Sequence, residues 1–236
     1  MASSPPASVL IPLSKLPHFD AREVPVDGTD SHLPAVPASS LAADALRARF
    51  RNPPQWEPEL RAEPQFVDRP LAAAAVLVGI VNRPRPTLLL TERTTHLSTH
   101  SGQIAFPGGK SDDTDRDAAH TAVREAHEEI GLDAAHVEVI GTLPTYHTGT
   151  NFIITPVVAL VAPDHSLAIN PHEVADAFEV PLDFLMNPAH HRRHHIDHDG
   201  LRREWLSMPY MEGSTQRLVW GATAGMLRNL YRFLVA

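Results

Sequence analysis

Apolar positions dominate one continuous stretch of the chain, Leu71 to Val81, which reads as a strand covered on both faces. Arg83-Pro84-Arg85-Pro86 supplies a turn, and Thr87 to Thr91 reads as the neighbouring strand. The period then changes. Ala119, Ala122, Val123, Ala126 and Ile130 follow the i, i+3, i+4, i+7 spacing that seats a helix on a core, with Gly131 as its C-cap. Strand-like runs return at Val137 to Leu143 and Phe152 to Val161. They are followed by a short helix at Pro181 to Leu185, a hairpin tip at Asp199-Gly200 and a closing amphipathic helix from Leu218 to Phe233. Helices before, between and after mixed strands predict an α/β fold, an α/β/α sandwich around a mixed sheet.

Upstream of about residue 66 the pattern is weaker. Residues 1–66 are rich in Pro, Ala and Ser and predict one helix near Ser39 to Phe50, with Ser39 or Ser40 as N-cap and Asn52-Pro53-Pro54 as the stop. This division gives an N-terminal extension, 1–66, and a folded domain, 67–236, whose core begins near Arg69. The extension reads as an arm that packs on the domain or on a partner.

Composition narrows the classes. A chain of 236 residues holds one sizeable core plus an extension. Its net charge of −8 argues against a duplex nucleic-acid binder, which needs a basic surface. With no cysteine a reducing, cytoplasmic setting fits. The run Leu71 to Val81 is too short to span a bilayer, and the start MASSPPASVLIPLSKL lacks the basic opening of a secretory signal.

The polar face of the predicted helix carries Arg124, Glu125, Glu128 and Glu129. At 3.6 residues per turn the three glutamates fall within an arc of about 100° and repel one another. A cation relieves that repulsion, and carboxylate oxygens suit the hard ions Mg²⁺ or Mn²⁺. The blander reading is a solvated acidic surface with Arg124 paired to Glu128, worth a few tenths of a kcal/mol. The order of parts favours chemistry: a buried strand, then FPGG, an acidic loop and REAHEE closed by glycine. Gly109-Lys110-Ser111 imitates the end of a phosphate-binding loop, but the glycine required five residues earlier is Ile104.

These residues resemble the signature of the Nudix hydrolase family, a glycine, a spaced acid and then REUXEEXGU with U apolar. Arg124, Glu125, Ala126, Glu128, Glu129, Gly131 and Leu132 match it. The early glutamate of the signature falls on Arg116, so Asp115 or Asp112 stands in. Upstream, Leu89, Leu90, Thr91, Arg93, Gly102, Gln103, Phe106, Pro107, Gly108 and Gly109 resemble the extended signature of the coenzyme A pyrophosphatase branch. One departure bears on substrate: Ser98 stands where that branch usually has a basic residue after His96 and Leu97.

The resemblance implies a metal-dependent attack of water on a diphosphate. Glu125 and Glu129, four apart on one face, are the strongest metal ligands, with the Gly108 carbonyl as a further one. Glu128 is a ligand or aligns water, and Arg124 orients the carboxylates. Glu173 is the candidate general base, an ordinary loop acid being the alternative, and Glu179 is the weaker competitor. Arg93, His100, Gln103 and Phe106 lie where the substrate is expected to pass. The expected partner is a small-molecule nucleotide, with neither nucleic acid nor membrane, and a homodimer is left open.

Five histidines from His190 to His198 offer a rival story. His190/His194 and His191/His195 have zinc-chelating spacing on a helix, but on a strand positions i and i+4 lie roughly 13 Å apart. The segment therefore reads as a polar, exposed hairpin strand. Trp205, Tyr210 and Trp220 read as packing residues, and Tyr146 or Phe152 as a lesser candidate for contact with an adenine. Three functions are weighed. They are hydrolysis of coenzyme A or acyl-CoA to 3′,5′-ADP and a 4′-phosphopantetheine product; hydrolysis of ADP-ribose or another nucleoside diphosphate derivative; and non-catalytic nucleotide sensing or scaffolding.

Overall fold

The computed structural model describes residues 13, 16, 19–65, 70–94, 102–198 and 200–236. His96, Leu97, Ser98, His100 and Asp199 lie outside them. In chain order the elements are β1 (Gly28–Thr29), α1 (Ala43–Arg51), β2 (Ala72–Val81), β3 (Thr87–Arg93), β4 (Ile104–Ala105), β5 (Gly108–Lys110), α2 (Ala118–Ile130), β6 (Val137–Thr142), β7 (Tyr146–His147), β8 (Phe152–Val161), β9 (Val174–Pro181), α3 (Leu182–Leu185), β10 (Arg192–His198), β11 (Leu201–Glu212), β12 (Thr215–Trp220) and α4 (Gly221–Val235).

The larger sheet runs β4-β3-β2-β8-β6, with β5 joined to β2, β7 to β8 and β9 to β3. Strands β2 and β8 are parallel from Ala72↔Phe152 to Val81↔Val161, whereas the other pairings are antiparallel, so the sheet is mixed. Both faces are covered, which explains the unbroken apolar run of β2. Ala75, Leu77 and Val81 meet Ala122, Ala126 and Ile130 of α2 on one face. Val76, Val78 and Ile80 join Leu46 of α1 and Leu227, Leu230 and Phe233 of α4 in the core on the other. Each buried Val, Leu, Ile or Phe side chain among these contributes about 1.5–3 kcal/mol. The result is the α/β/α sandwich in a mixed-sheet form.

A second antiparallel sheet, β1-β10-β11-β12, closes the α4 side. Here one expectation changes. Leu218 and Val219 belong to β12, paired with Pro209 and Met208, and the closing helix begins only at Gly221. A strand partner overrides helical spacing over those residues, and α4 is buried from Thr223 to Leu227 and beyond rather than along one stripe. The segment Val174–Pro181, to which the local pattern assigned no strand, forms an eight-residue strand beside β3. At the other end of the chain, Ala38–Leu41 forms a 3₁₀ turn and α1 starts after Ala42, so neither Ser39 nor Ser40 caps it.

The stretch before residue 66 shares one core with the sheets and α4: Val36, Leu41 and Leu46 are buried with Leu227 and Phe233. It is also fastened by charge. The guanidinium of Arg228, 2% exposed, lies 3.1 Å from Asp30 and 2.7 Å from Glu59, and Arg193 reaches the same two carboxylates at 2.8 and 2.9 Å. His191, expected at the surface, is fully buried: its Nε2 lies 2.7 Å from the Leu185 carbonyl and its Nδ1 lies 3.1 Å from Arg228. Burial, and secondarily the Arg228 charge, push it down to about 4, so it is neutral near pH 7. His194 is buried too, stacked on Trp205 and bonded to Pro25 and Ser207. His194 faces inward because β1 and the segment before it cover that side of the strand, whose other residues stay exposed or partly so. Among the described residues no helix is long and apolar enough to cross a membrane.

Candidate active site

Helix α2 delivers the acidic side chains. Asp117 caps its N-terminus by accepting the His120 N–H at 2.8 Å, and Gly131 ends it in the left-handed conformation. The apolar stripe on β2 and β8 fixes its rotation, and Glu125 and Glu129 then face strand β5. Gly108 there adopts φ 155°, and a Cβ on it would sit 2.6 Å from the Val76 Cα. A Cβ on Gly109 would sit 2.5 Å from the Glu125 carboxylate. Only glycines let these carboxylates lie against bare backbone.

Glu129 is 3% exposed; its Oε2 accepts the Gly108 N–H at 3.1 Å, and its Oε1 lies 3.7 Å from Arg93. Burial pushes its carboxyl up to about 7; Gly108 and Arg93 oppose that shift, and the charges of Glu125 and Glu173 add to it. Glu125 is raised as well, by burial first, against the pull of Arg124 and with a push from Glu128 and Glu173. Glu173 is thus electrostatically within reach of both. Asn170 fastens it: the Asn170 side-chain amide donates to Glu173 at 3.2 Å, while its backbone N–H donates to the Glu129 carbonyl at 2.8 Å.

Arg124 is the hub of the outer side. It donates to Asp115 at 2.8 and 3.0 Å and to Glu128 at 3.0 Å, and lies 3.0 Å from Glu125. Asp115 is the arginine's close acidic partner, with Asp112 at 3.9 Å. The Arg124 guanidinium, with the Asp112 N–H and Thr121 hydroxyl, holds the Asp115 carboxyl well below the usual range. Glu128 is half-exposed and turned towards Arg124.

A divalent cation fits this donor set by chemistry: hard carboxylate oxygens, two of them on acids whose charge is costly without a counterion, against a glycine cradle. Among the described residues no three His, Cys, Asp or Glu side chains converge closely enough to hold one ion, since Arg124, Arg93 and the Gly108 N–H engage the glutamates. Ligation by three side chains therefore requires rotamer changes.

Beside β5 opens a cavity of about 490 Å³ between the two sheets. Arg93 and Gln103 line it, together with Gly108, Gly109 and Lys110. Phe106 does not line it and is buried in the core. His100 is outside the described residues. Phe152 lines the cavity, whereas Tyr146 is core, packed against Gly225. Glu179 is at the far end of β9, bonded to Arg83 and Thr87, away from the other acids. The pattern along the chain gave no sign of Glu63, Arg203 and Trp205, which also line the cavity; they come from segments remote in sequence that carry no motif spacing.

The NUDIX domain profile matches residues 70–201. An uncharacterized Nudix hydrolase NudL of Shigella flexneri serotype 5b is 43% identical over 194 residues, covering 81% of this chain and 94% of its own. NudL of Escherichia coli K12 is 44% identical over 160 residues, 66% of this chain and 80% of its own. The crystal structure of RenU, a Nudix hydrolase from M. smegmatis, aligns over 49% of this chain and 74% of its own at 28% identity with a TM-score of 0.42. A covered mixed sheet with a glutamate-bearing helix against a glycine strand defines an enzyme class, the pyrophosphohydrolases that work with a divalent cation. The chain belongs to the Nudix family.

Proposed function

We propose that this enzyme hydrolyses the diphosphate of coenzyme A or an acyl-CoA, releasing 3′,5′-ADP and 4′-phosphopantetheine or its acyl form. The observation that supports the reading is Glu125 and Glu129 against Gly108-Gly109, with the charge of Glu173 felt by both, where those glycines border a cavity large enough for a substrate arm. Glu125, Glu129 and the Gly108 carbonyl would hold a divalent ion, Mg²⁺ or Mn²⁺, which would supply a lowered pKa for water and charge neutralisation at the phosphate oxygens. Glu173 accepts the proton of the attacking water as the P–O bond to the leaving phosphate breaks, and Asn170 keeps that carboxylate facing Glu129. Arg124, fixed by Asp115, sets the rotamers of Glu125 and Glu128. Glu128, on the rim, serves as an additional ligand or aligns water. Arg93 and Gln103 border the path of the substrate.

ADP-ribose or another nucleoside diphosphate derivative is the second reading, favoured by Ser98 in place of a basic residue that would meet a 3′-phosphate. Incubation with Mg²⁺ or Mn²⁺ and a panel of coenzyme A, ADP-ribose, NADH and diadenosine polyphosphates, with products identified by mass, separates the two. Preferential release of 3′,5′-ADP from coenzyme A supports the first reading; a preference for ADP-ribose replaces it. Inertness towards every member would indicate a nucleotide sensor.

A further inference from the structure

The cavity beside β5 extends away from the glutamates to walls that lie outside the family signature: Glu63 from the N-terminal stretch, Arg203 and Trp205 from β11, and Ala222 and Met226 from α4. One continuous part of the lining is aliphatic, from Ala74, Val76, Ile104, Ile154 and Met226. The aromatic residues are partly engaged with one another. Trp205 stacks on His194 at 5.5 Å with 10° between planes and receives the edge of Phe19, which also packs on Trp220 at 5.7 Å. The space therefore has aliphatic width rather than the paired flat faces that would sandwich a base.

Its charged lining comprises Arg93, Lys110, Arg203 and the exposed Arg202–Glu204 pair together with the carboxyl of Glu63. The Gly149 N–H donates to Oε2 at 3.0 Å, and burial raises the carboxyl above its ordinary range despite that bond and the charge of Arg203. A carboxylate has about four acceptor sites, so one backbone donor leaves capacity for a ligand. An anionic group beside it would be repelled, whereas an N–H or O–H would be held by a charge-assisted bond.

We infer that this cavity is the subsite for the non-nucleotide half of the substrate, a neutral and mainly aliphatic arm bearing an amide or hydroxyl donor, with Glu63 as the specificity-determining acceptor. The inference rests on the coenzyme A reading, in which the half that carries the pantetheine amides enters this space. It also gives the N-terminal stretch a role in selectivity: Glu63 and Pro64 line the cavity, held there because Ala62 bridges His147 and the Glu63 N–H donates to the His147 carbonyl at 2.8 Å.

Pantetheine, which has no diphosphate, is the probe. It is titrated into the full chain in EDTA, with calorimetry and the fluorescence of the cavity-lining Trp205 and Trp220 as readouts. Metal-free binding isolates the subsite from catalysis. Saturable binding is expected, weakened about tenfold or more in Glu63→Leu, the scale of a lost charge-assisted bond. Ala222→Leu, which adds bulk to the lining contributed by α4 and leaves Glu63 itself unchanged, is expected to weaken it as well. In turnover, Glu63→Leu should lower the ratio of kcat/KM for coenzyme A to that for ADP-ribose by at least tenfold. No binding to the parent protein, or equal binding by both folded variants, overturns the inference. Failure of the substrate reading looks different, because coenzyme A would then survive incubation with metal while pantetheine still bound in EDTA.

Discussion

Glu129→Gln is expected to abolish metal-dependent turnover and yet stabilise the metal-free protein. Burial raises the Glu129 carboxyl from 4.5 in the unfolded chain to about 7 in the fold. Because the folded value is the higher one, ionisation opposes folding. The penalty is absent below pH 4.5, grows between 4.5 and about 7, and is constant above that. At about 1.4 kcal/mol per pKa unit it amounts to about 3 kcal/mol at pH 8. Glutamine has the same shape, keeps an oxygen for the Gly108 N–H and carries no charge, so it relieves nearly all of it. Denaturant unfolding in EDTA at pH 8 and near pH 4.5 provides the assay: the variant should gain about 3 kcal/mol at the first pH and almost nothing at the second. Adding Mg²⁺ or Mn²⁺ should then stabilise the parent protein far more than the variant. A destabilised variant at pH 8, or the same difference at both pH values, would refute the idea that an uncompensated buried charge is kept for metal binding.

Three further outcomes rest on the same geometry. Glu173→Gln should lower kcat by 100-fold or more, the lower end of general-base contributions, with a change in unfolding free energy below about 0.5 kcal/mol; an unaltered rate removes it from the mechanism. Asp30→Ala strips one carboxylate from the nearly inaccessible Arg228 and should cost about 3 kcal/mol in denaturant unfolding, whereas a cost below about 1 kcal/mol would show that Glu59 alone compensates the charge. His191 is held neutral with its value lowered from 6.5 to about 4, so its contribution is complete above pH 6.5 and is lost as the pH falls to about 4, on the order of 3 kcal/mol. Measured in a Glu129→Gln background, so that Glu129 does not offset it, the acid loss should flatten in His191→Gln; an unchanged slope would place the acid sensitivity elsewhere.

Much of the architecture was legible in local pattern. The unbroken run of β2, the helical spacing of Ala122, Ala126 and Ile130, and the punctuation by Gly131 and Pro84 each act through neighbours a few residues away, so the chain states them directly. The family signature was legible for the same reason: helix α2 converts spacing into a shared face, and Arg124, Glu125 and Glu129 needed only the 3.6-residue turn to be aligned. Tertiary structure decided what depends on long-range partners. Leu218 and Val219 became strand because β11 offered hydrogen bonds, and His191 and His194 went inside because the N-terminal stretch covers them. Arg124 found Asp115 rather than Asp112 through the path of a loop. Glu63, Arg203 and Trp205 meet across a cavity only once two sheets have packed, and no periodicity along the chain encodes that meeting, because it is set by the packing of surfaces rather than by the turn of a helix or the pleat of a strand.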